Sequence, residues 1–449
     1  MTFLLKEVKN RYTIARFIPL ETRRLLAFYL ACLGGAATGY STEWYVSSEV
    51  STSGNGISWS TAWKNSGDIG WSSVHPGDII WFDGGNSGRS YSAFGTISAS
   101  GTSSNYITIA SSPEPGRNGI VTIATPISIT GNYIKFDGGD WKQVIGNTYR
   151  AGIVFTCDSS TGSFASGQSV SVTGQRPWFK YVYFNGTYGA GWGHSFGAQN
   201  STGFILDHCW FYQSSSEDQW VYEATLPGGT LSITNTVFQD NNKPNRNDTA
   251  HRDVANPWTG VGGWSMHLIG NMFFNTPGHA NDQPQGDEIL LQVGYPNGSG
   301  SALNEVISIN NVCYNTARFI AFGSGNAGVN RFEVYHNTIH NVINGDRFGI
   351  TGADYTSGNN IANNSNPSYL DASNPLGVDG IPFTADDGFN IGESSSAINA
   401  GNNSFGVTKD IMGDLRTGNP DLGAYEYGVD GSTSARVPNS PQELRIIGF

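Results

Sequence analysis

His208-Cys-Trp-Phe-Tyr212, Asn235-Thr-Val-Phe-Gln239, Asn271-Met-Phe-Phe-Asn275, Asn311-Val-Cys-Tyr-Asn315 and Asn337-Thr-Ile-His-Asn341 share one frame. Each has an apolar or aromatic residue two positions upstream: Leu206, Ile233, Ile269, Ile309 and Tyr335. An earlier copy is Tyr181-Val-Tyr-Phe-Asn185, and a weaker later one is Asn359-Asn-Ile-Ala-Asn363. Successive frames are 27, 27, 36, 40, 26 and 22 residues apart. One short strand per repeat, no helical period and recurring Asn predict a single-stranded right-handed parallel β-helix, an all-β solenoid. Leucine spacing is absent, which excludes a leucine-rich repeat, and the uneven gaps do not suit propeller blades. With one coil stacked on the next at about 4.8 Å, each side chain meets its counterpart. The frame places Tyr183, Trp210, Val237, Phe273, Cys313 and Ile339 inside. It stacks the Asn side chains into a hydrogen-bonded column at a buried bend. Cys209 and Cys313 fall three coils apart and are not expected to pair. Upstream, Tyr106-Ile-Thr-Ile-Ala and Asn132-Tyr-Ile-Lys-Phe-Asp read as earlier coil strands.

Composition agrees with that architecture. Of 449 residues 59 are Gly and only 13% are charged, so the strong helix formers are scarce. With 12 Trp, 20 Tyr and 24 Phe the chain has material for a large core, which excludes disorder for most of it. Residues 1–40 read as a leader. Lys6, Lys9, Arg11, Arg16, Arg23 and Arg24 precede an uncharged run from Leu25 to Ala37, the pattern of a secretory signal peptide. That run is too short for a comfortable membrane span, so no span is expected in the mature chain. Beyond residue 40, 18 basic and 34 acidic residues remain, a net of −16. Such a balance excludes a general nucleic-acid partner. Three cysteines after the leader allow one disulfide at most.

The two ends carry a resemblance. Glu43-Trp-Tyr-Val-Ser, Ser58-Trp-Ser-Thr-Ala-Trp-Lys64 and Pro76-Gly-Asp-Ile-Ile-Trp81 resemble the opening segment of secreted bacterial β-helix proteins of the pectate-lyase-like superfamily. Ser396-Ala-Ile-Asn-Ala-Gly401, Asp410-Ile-Met-Gly-Asp-Leu-Arg416 and Pro420-Asp-Leu-Gly-Ala-Tyr-Glu-Tyr427 resemble its closing segment. The resemblance implies a β-helix over residues 43–427. It leaves activity open, because the superfamily includes lyases, hydrolases, esterases and non-catalytic surface proteins. Gly193-His194-Ser195 is only a fragment of the polygalacturonase pattern, and His194 reads as a turn residue. Glu305-Val-Ile-Ser-Ile-Asn310 resembles the catalytic strand of the alginate-lyase branch but lacks its lysine. The organisation expected is a leader (1–40), an N-terminal cap and opening segment with Trp63, Trp71 and Trp81 in its core (41–95), the β-helix with inserted loops (96–430) and a tail (431–449).

The long gaps locate the candidate chemistry. The coils framed on Asn235 and Asn271 carry extra residues after the same strand, and insertions at one turn emerge on one side of a solenoid. Lys243, Arg246, His251, Arg252 and Asp253 lie in the first, followed by Trp258; His279, Asp287 and Glu288 lie in the second; Trp220 comes from the coil before. β-Elimination at a uronate needs a cation or metal to neutralise the carboxylate and a base to take the C5 proton. Lys243, His251 or Arg252 suit the base, and Asp248, Asp253 and Asp287 suit Ca²⁺ there. Hydrolysis instead needs two carboxyls flanking the bond, which Asp253 with Asp287 or Glu288 can supply. Arg246, Trp220, Trp258, Glu288 and His279 are expected to hold substrate. A separate loop, Asp379-Gly-Ile-Pro-Phe-Thr-Ala-Asp-Asp387, suggests a structural Ca²⁺ on Asp379, Asp386 and Asp387. The leading expectation is a secreted or cell-surface polysaccharide lyase acting on an acidic polysaccharide. A non-catalytic glycan-binding β-helix and a glycoside hydrolase are the alternatives.

Overall fold

Short runs such as Ile127-Ser-Ile129 and Ile134-Lys-Phe-Asp137 bury alternate residues, and each pairs only with strands one coil away. The computed structural model describes residues 41–428 apart from 92–93, 146–147, 157–169, 186–193, 200, 213–218, 225–228, 240–252, 258–264, 277–291, 294–302, 317–320, 323–328, 343–353 and 363–367. The leader and the tail therefore lie outside the described residues. Among those described, three parallel sheets form the walls. The first has eleven strands, from Glu43–Val46 to Asp354–Gly358; the second has nine, from Arg89–Tyr91 to Thr338–His340; the third has six, from Thr96–Ile97 to Asp253–Pro257. A parallel pair, Gln292–Val293 with Ala321–Phe322, forms a separate small sheet. One antiparallel hairpin, Trp141–Ile145 with Thr148–Ala151, interrupts the scheme. The chain visits first, second and third sheets in turn, as in Trp178–Lys180, Val182–Asn185 and His194–Gln199, which is a parallel β-helix. No helix among the described residues is long and apolar enough to cross a membrane.

The segment expected to be a cap already contributes coils. Glu43–Val46 pairs with Ile79–Phe82, which pairs with Ile107–Ser111. Trp63 is buried in the core and Trp71 packs against it.

Two adjacent columns turn the chain from the first sheet into the second. One is a single left-handed residue per coil: Tyr181, His208, Asn235, Gly270, Asn310, His336 and Asn359 all have φ between 47 and 66°. Their N–H groups donate to the next coil, as from His208 to Thr234 (3.1 Å) and from Asn235 to Ile269 (3.0 Å). A Cβ at Gly270 would lie 2.7 Å from Asn235 Oδ1, so that side chain would have to shift to admit one. The next position forms the amide ladder. Asn271 Nδ2 donates to Asn311 Oδ1 (3.0 Å), Asn311 Nδ2 to Asn337 Oδ1 (2.9 Å) and Asn337 Nδ2 to Asn360 Oδ1 (3.0 Å). Asn271, Asn311 and Asn337 also cap carbonyls of the first sheet, so the ladder position satisfies its own amides.

The inner column differs by one residue from the expected one. Val237 pairs with Met272, and Phe238 pairs with Phe273. Phe155, Phe184, Phe211, Phe238, Phe273, Cys313 and Ile339 therefore share the interior. Their rings stack at 5.4, 4.3, 4.9 and 5.1 Å from Phe155 to Phe273. Tyr183, Trp210 and Val237 belong to the opposite face of the second sheet, with Met272 and Val312. They are buried because residues 368–428 fold back as an irregular strap, pressing Phe383, Phe389, Ile411 and Tyr425 onto that face. Cys209 and Cys313 are both buried and form no disulfide among the described residues.

The resemblance in the closing segment has a physical basis. Asp410 Oδ1 accepts the Met412 and Asp414 N–H groups and its Oδ2 accepts that of Glu426. Arg416, almost fully buried, pairs with Glu426 at 2.9 Å and donates to Asn310 Oδ1, 106 residues away in sequence, at 3.0 Å. The recurring acidic and basic letters thus staple the strap to the solenoid.

Candidate functional site

After the second-sheet strands Trp210–Tyr212 and Val237–Gln239 the chain crosses to the third sheet, and after Met272–Thr276 to the small sheet; the insertions lie in these passages. Residues 213–218 join Trp210–Tyr212 to Gln219–Ala224, 240–252 join Val237–Gln239 to Asp253–Pro257, and 277–291 join Met272–Thr276 to Gln292–Val293. Lys243, Arg246, His251, Arg252, Trp258, His279, Asp287 and Glu288 lie outside the described residues. Asp253 and Trp220 are placed by their backbone, on neighbouring strands of the third sheet rather than in turns. His194, expected in a turn, also begins a third-sheet strand. In register His194 pairs with Gln219, and Gln219 pairs with Asp253. The third sheet thus brings one His, one Gln and one Asp to a single row across three coils, at the edge where the basic segment 243–252 ends.

A second polar cluster was not anticipated. On the solvent face of the first sheet, His267 Nε2 lies 2.9 Å from Glu305 Oε1. Arg331 donates to Glu305 Oε2 at 3.1 Å and to Glu333 Oε1 at 2.7 Å. The three strands are consecutive, which places Ser265, Glu305 and Arg331 in one row and His267, Ile307 and Glu333 in the next. The Glu333 hydrogen bond holds the Arg331 guanidinium above its ordinary range. Arg331 is nearly half exposed, so its fork presents donors suited to hydroxyl or carboxylate ligands. The signal in the sequence was the Arg-x-Glu of one strand following the Glu of the strand before, at a two-residue period.

The acidic loop forms its own bonds. Asp386 Oδ2 accepts the Val378 and Asp379 N–H groups, and its Oδ1 accepts the Thr384 hydroxyl. Asp379 Oδ1 accepts the Ile381 N–H, and Asp387 Oδ2 accepts the Thr384 N–H and the Tyr425 hydroxyl. Burial works to raise Asp386, but the Thr384 hydroxyl and the backbone donors outweigh it and hold it low; burial pushes Asp387 well up, toward the protonated form. Among the described residues no three His, Cys, Asp or Glu side chains are grouped to hold a metal ion. Asp379, Asp386 and Asp387, as arranged, do not fit Ca²⁺, which takes six to eight oxygen ligands.

Buried titratable groups elsewhere serve packing. His208 Nδ1 lies 2.5 Å from Asp207 Oδ1 beneath the strap, with the Tyr181 ring at 4.8 Å. Burial, reinforced by Arg416, lowers His336 to about 3, and burial raises Asp410 to about 7.

No family model matches the sequence, and no characterised protein matches it by sequence. Among solved structures it is similar to the pectate lyase Pel9A at 15% identity, over 87% of this chain and 98% of that one, with a TM-score of 0.50. It also aligns with a rhamnogalacturonan lyase (12% identity, 79% of this chain and 97% of that one, TM-score 0.44). A further alignment is with a PL6 family polysaccharide lyase from Pseudopedobacter saltans (12%, 62% and 63%, TM-score 0.34). At these identities the likeness is one of fold, and the first carries it: the chain is a right-handed parallel β-helix of the pectate-lyase type.

Proposed function

We propose that this protein is an exported carbohydrate-active enzyme that cleaves a uronate-containing polysaccharide by β-elimination. The observation that carries the reading is the charge pattern at the passage from second to third sheet. Lys243, Arg246, His251 and Arg252 fall within ten residues, in a chain of net −12, immediately before the strand that begins at Asp253. Positive charge there attracts a polyanion and neutralises the carboxylate at the reacting sugar, which makes the C5 proton removable. In the reaction Lys243, His251 or Arg252 takes that proton, the C5–H electron pair forms the C4=C5 bond as the C4–O bond breaks, the leaving sugar's oxygen takes a proton from water, and a 4,5-unsaturated uronate remains. Arg246, Trp220, Trp258, Glu288 and His279 hold the polymer. Asp253 and Asp287 orient the base or, with Asp248, hold Ca²⁺ when the reaction uses it. The fold supports the reading by analogy, since the similar solved structure is itself named a pectate lyase.

The test is a panel of acidic polysaccharides followed by ultraviolet absorbance, because only elimination creates the unsaturated chromophore. Lys243→Ala, His251→Ala and Arg252→Ala are assayed beside wild type. One of them should lose about 10²–10⁴-fold in turnover while the melt is retained, the usual weight of a general base. New reducing ends without absorbance mean hydrolysis, and glycan binding without cleavage means a recognition protein. Wild-type rates in all three variants place the chemistry elsewhere.

A further inference from the structure

The solvent face of the first sheet carries, at its N-terminal half, an arrangement that the proposed catalytic passage does not use. The strand Trp178–Lys180 and the two residues before it read Arg176-Pro-Trp-Phe-Lys180, and alternate residues face opposite ways. Pro177 and Phe179 are buried, while Arg176, Trp178 and Lys180 are partly exposed on the outer side. The strand and the corner residue before it therefore present cation, indole, cation in a row. The neighbouring coils extend it. Lys135, in register with Trp178, holds its Nζ 4.4 Å over the indole, and Tyr106 meets the indole edge-on at 5.8 Å and Tyr133 at 5.5 Å.

The corner that begins these strands is built to hold the row in place. Asn132 Oδ1 accepts the Gln175 N–H at 2.8 Å and Gln175 Oε1 accepts the Thr202 N–H at 2.6 Å, a second amide ladder. Beside it Tyr133 and Arg176 sit at φ of 54 and 48°, a conformation that bulky residues adopt only when the surroundings enforce it. The cations are also incompletely neutralised. Lys135 pairs with Asp137 at 2.6 Å, but among the described residues no carboxylate pairs with Arg176 or Lys180. Arg176 hydrogen-bonds the Tyr106 hydroxyl, and Lys180 lies 5.5 Å from the Tyr181 ring. Arg176 is held by a phenol and Lys180, in register between Asp137 and Asp207, makes no ion pair with either, so these cations beside aromatic rings suit a ligand that supplies both anions and flat apolar faces.

We propose that Arg176, Trp178 and Lys180, with Tyr106, Tyr133 and Lys135, form an accessory binding site for an anionic oligosaccharide. The site lies on the first sheet, away from the third-sheet rows that carry Asp253 and Trp220. A pyranose ring packs against the aromatic faces through its C–H side, and the carboxylates of flanking sugars reach Arg176 and Lys180. The choice of a uronate polymer rests on the proposed function; the existence of an anion-selective glycan site rests on the patch alone. Such a site holds the enzyme on its polymer between cuts and adds effective concentration at the reacting face.

The experiment is affinity electrophoresis in gels containing polygalacturonate or polymannuronate, with neutral galactan as control, and absorbance assays of the same polymers in parallel. The wild type should be retarded by a uronate polymer and not by galactan, less so as salt rises. Trp178→Ala should weaken retardation about tenfold. The double variant Arg176→Ala/Lys180→Ala should weaken it similarly and lose the salt dependence, while cleavage of short oligosaccharides persists. Lys180→Glu serves as the surface variant if Trp178→Ala melts early. Retardation unchanged in stably folded variants overturns the site, as does a wild type that no uronate polymer retards. The absorbance assay reports separately on the elimination reading, so either proposal can fail alone.

Discussion

Replacing Phe238 with Ala tests the corrected register most directly. Phe238 is fully buried, and its ring lies between those of Phe211 and Phe273, near parallel to both, at 4.9 and 5.1 Å. Truncating a buried Phe typically costs about 3–5 kcal/mol. Two lost stacking contacts, each about 0.5–1.5 kcal/mol beyond area burial, place this site in the upper half of that range. A solenoid distributes the loss unevenly because each coil touches only its neighbours, so a single global unfolding energy is a poor readout. Hydrogen exchange is the better assay. Phe238→Ala should raise exchange in the strands Gly203–Asp207, Thr230–Thr234 and Ser265–Ile269, which share its bore. Val237→Ala, one residue away, should cost only about 1.5 kcal/mol at about 0.8 per buried methylene. It should loosen residues 368–428 first, because Val237 faces the strap. A cost below about 1 kcal/mol for Phe238→Ala, or loosening of the strap in place of the coils, would refute the register.

Asn311→Leu should destabilise by about 2–4 kcal/mol, read from denaturant midpoints, because it orphans the Asn271 N–H and side-chain amide and uncaps Leu268. For pH, burial raises folded Asp410 to about 7 from an ordinary value near 3.8, so between about pH 4 and 7 the folded state binds the extra proton and stability falls as pH rises. His336, lowered to about 3, works oppositely: below about pH 6.5 the unfolded chain binds the proton and stability falls as pH falls. Asp410→Asn should therefore make the slope of unfolding free energy against pH more positive by about 1.4 kcal/mol per unit between about pH 4 and 7; an unchanged slope would show Asp410 ionised throughout. Excess chelator should leave the melting temperature unchanged, since Asp379, Asp386 and Asp387 already bond within their loop. A calcium-dependent rise would restore a metal there.

The coil, its period and the amide ladder were legible because a stacked solenoid repeats its corner chemistry in every turn. The one-residue slip in the inner column came from two Asn-rich positions standing side by side. Asn235 is the left-handed corner, Asn271 is the ladder, and aligning them as equals shifts everything downstream. Asn310-Asn311 and Asn359-Asn360 show both positions at once and were the copies to align on. Trp210-Phe-Tyr212 offered no correction, because the strap buries one face and the bore the other, so the two-residue alternation is lost. The His267, Glu305 and Arg331 cluster left only a faint trace in the sequence, for a related reason. Its members are distant in sequence, and only parallel register brings them together.

The strap changes what kind of object the solenoid is. A stack of coils can fray from an end one layer at a time, but here Asn310 is bonded to Lys409 and Arg416, and Thr338 to Ala424. The late coils are closed on themselves by residues made after all of them. During synthesis, every coil already formed carries an uncovered apolar wall until residues 368–428 arrive. A chain cut short before residue 409 would have nearly all its coils and still no seal, leaving Tyr183, Trp210 and Val237 as a greasy flank open to proteases and to other chains. Completion of the strap is thus a check that synthesis has passed residue 424, the last described one bonded to a coil.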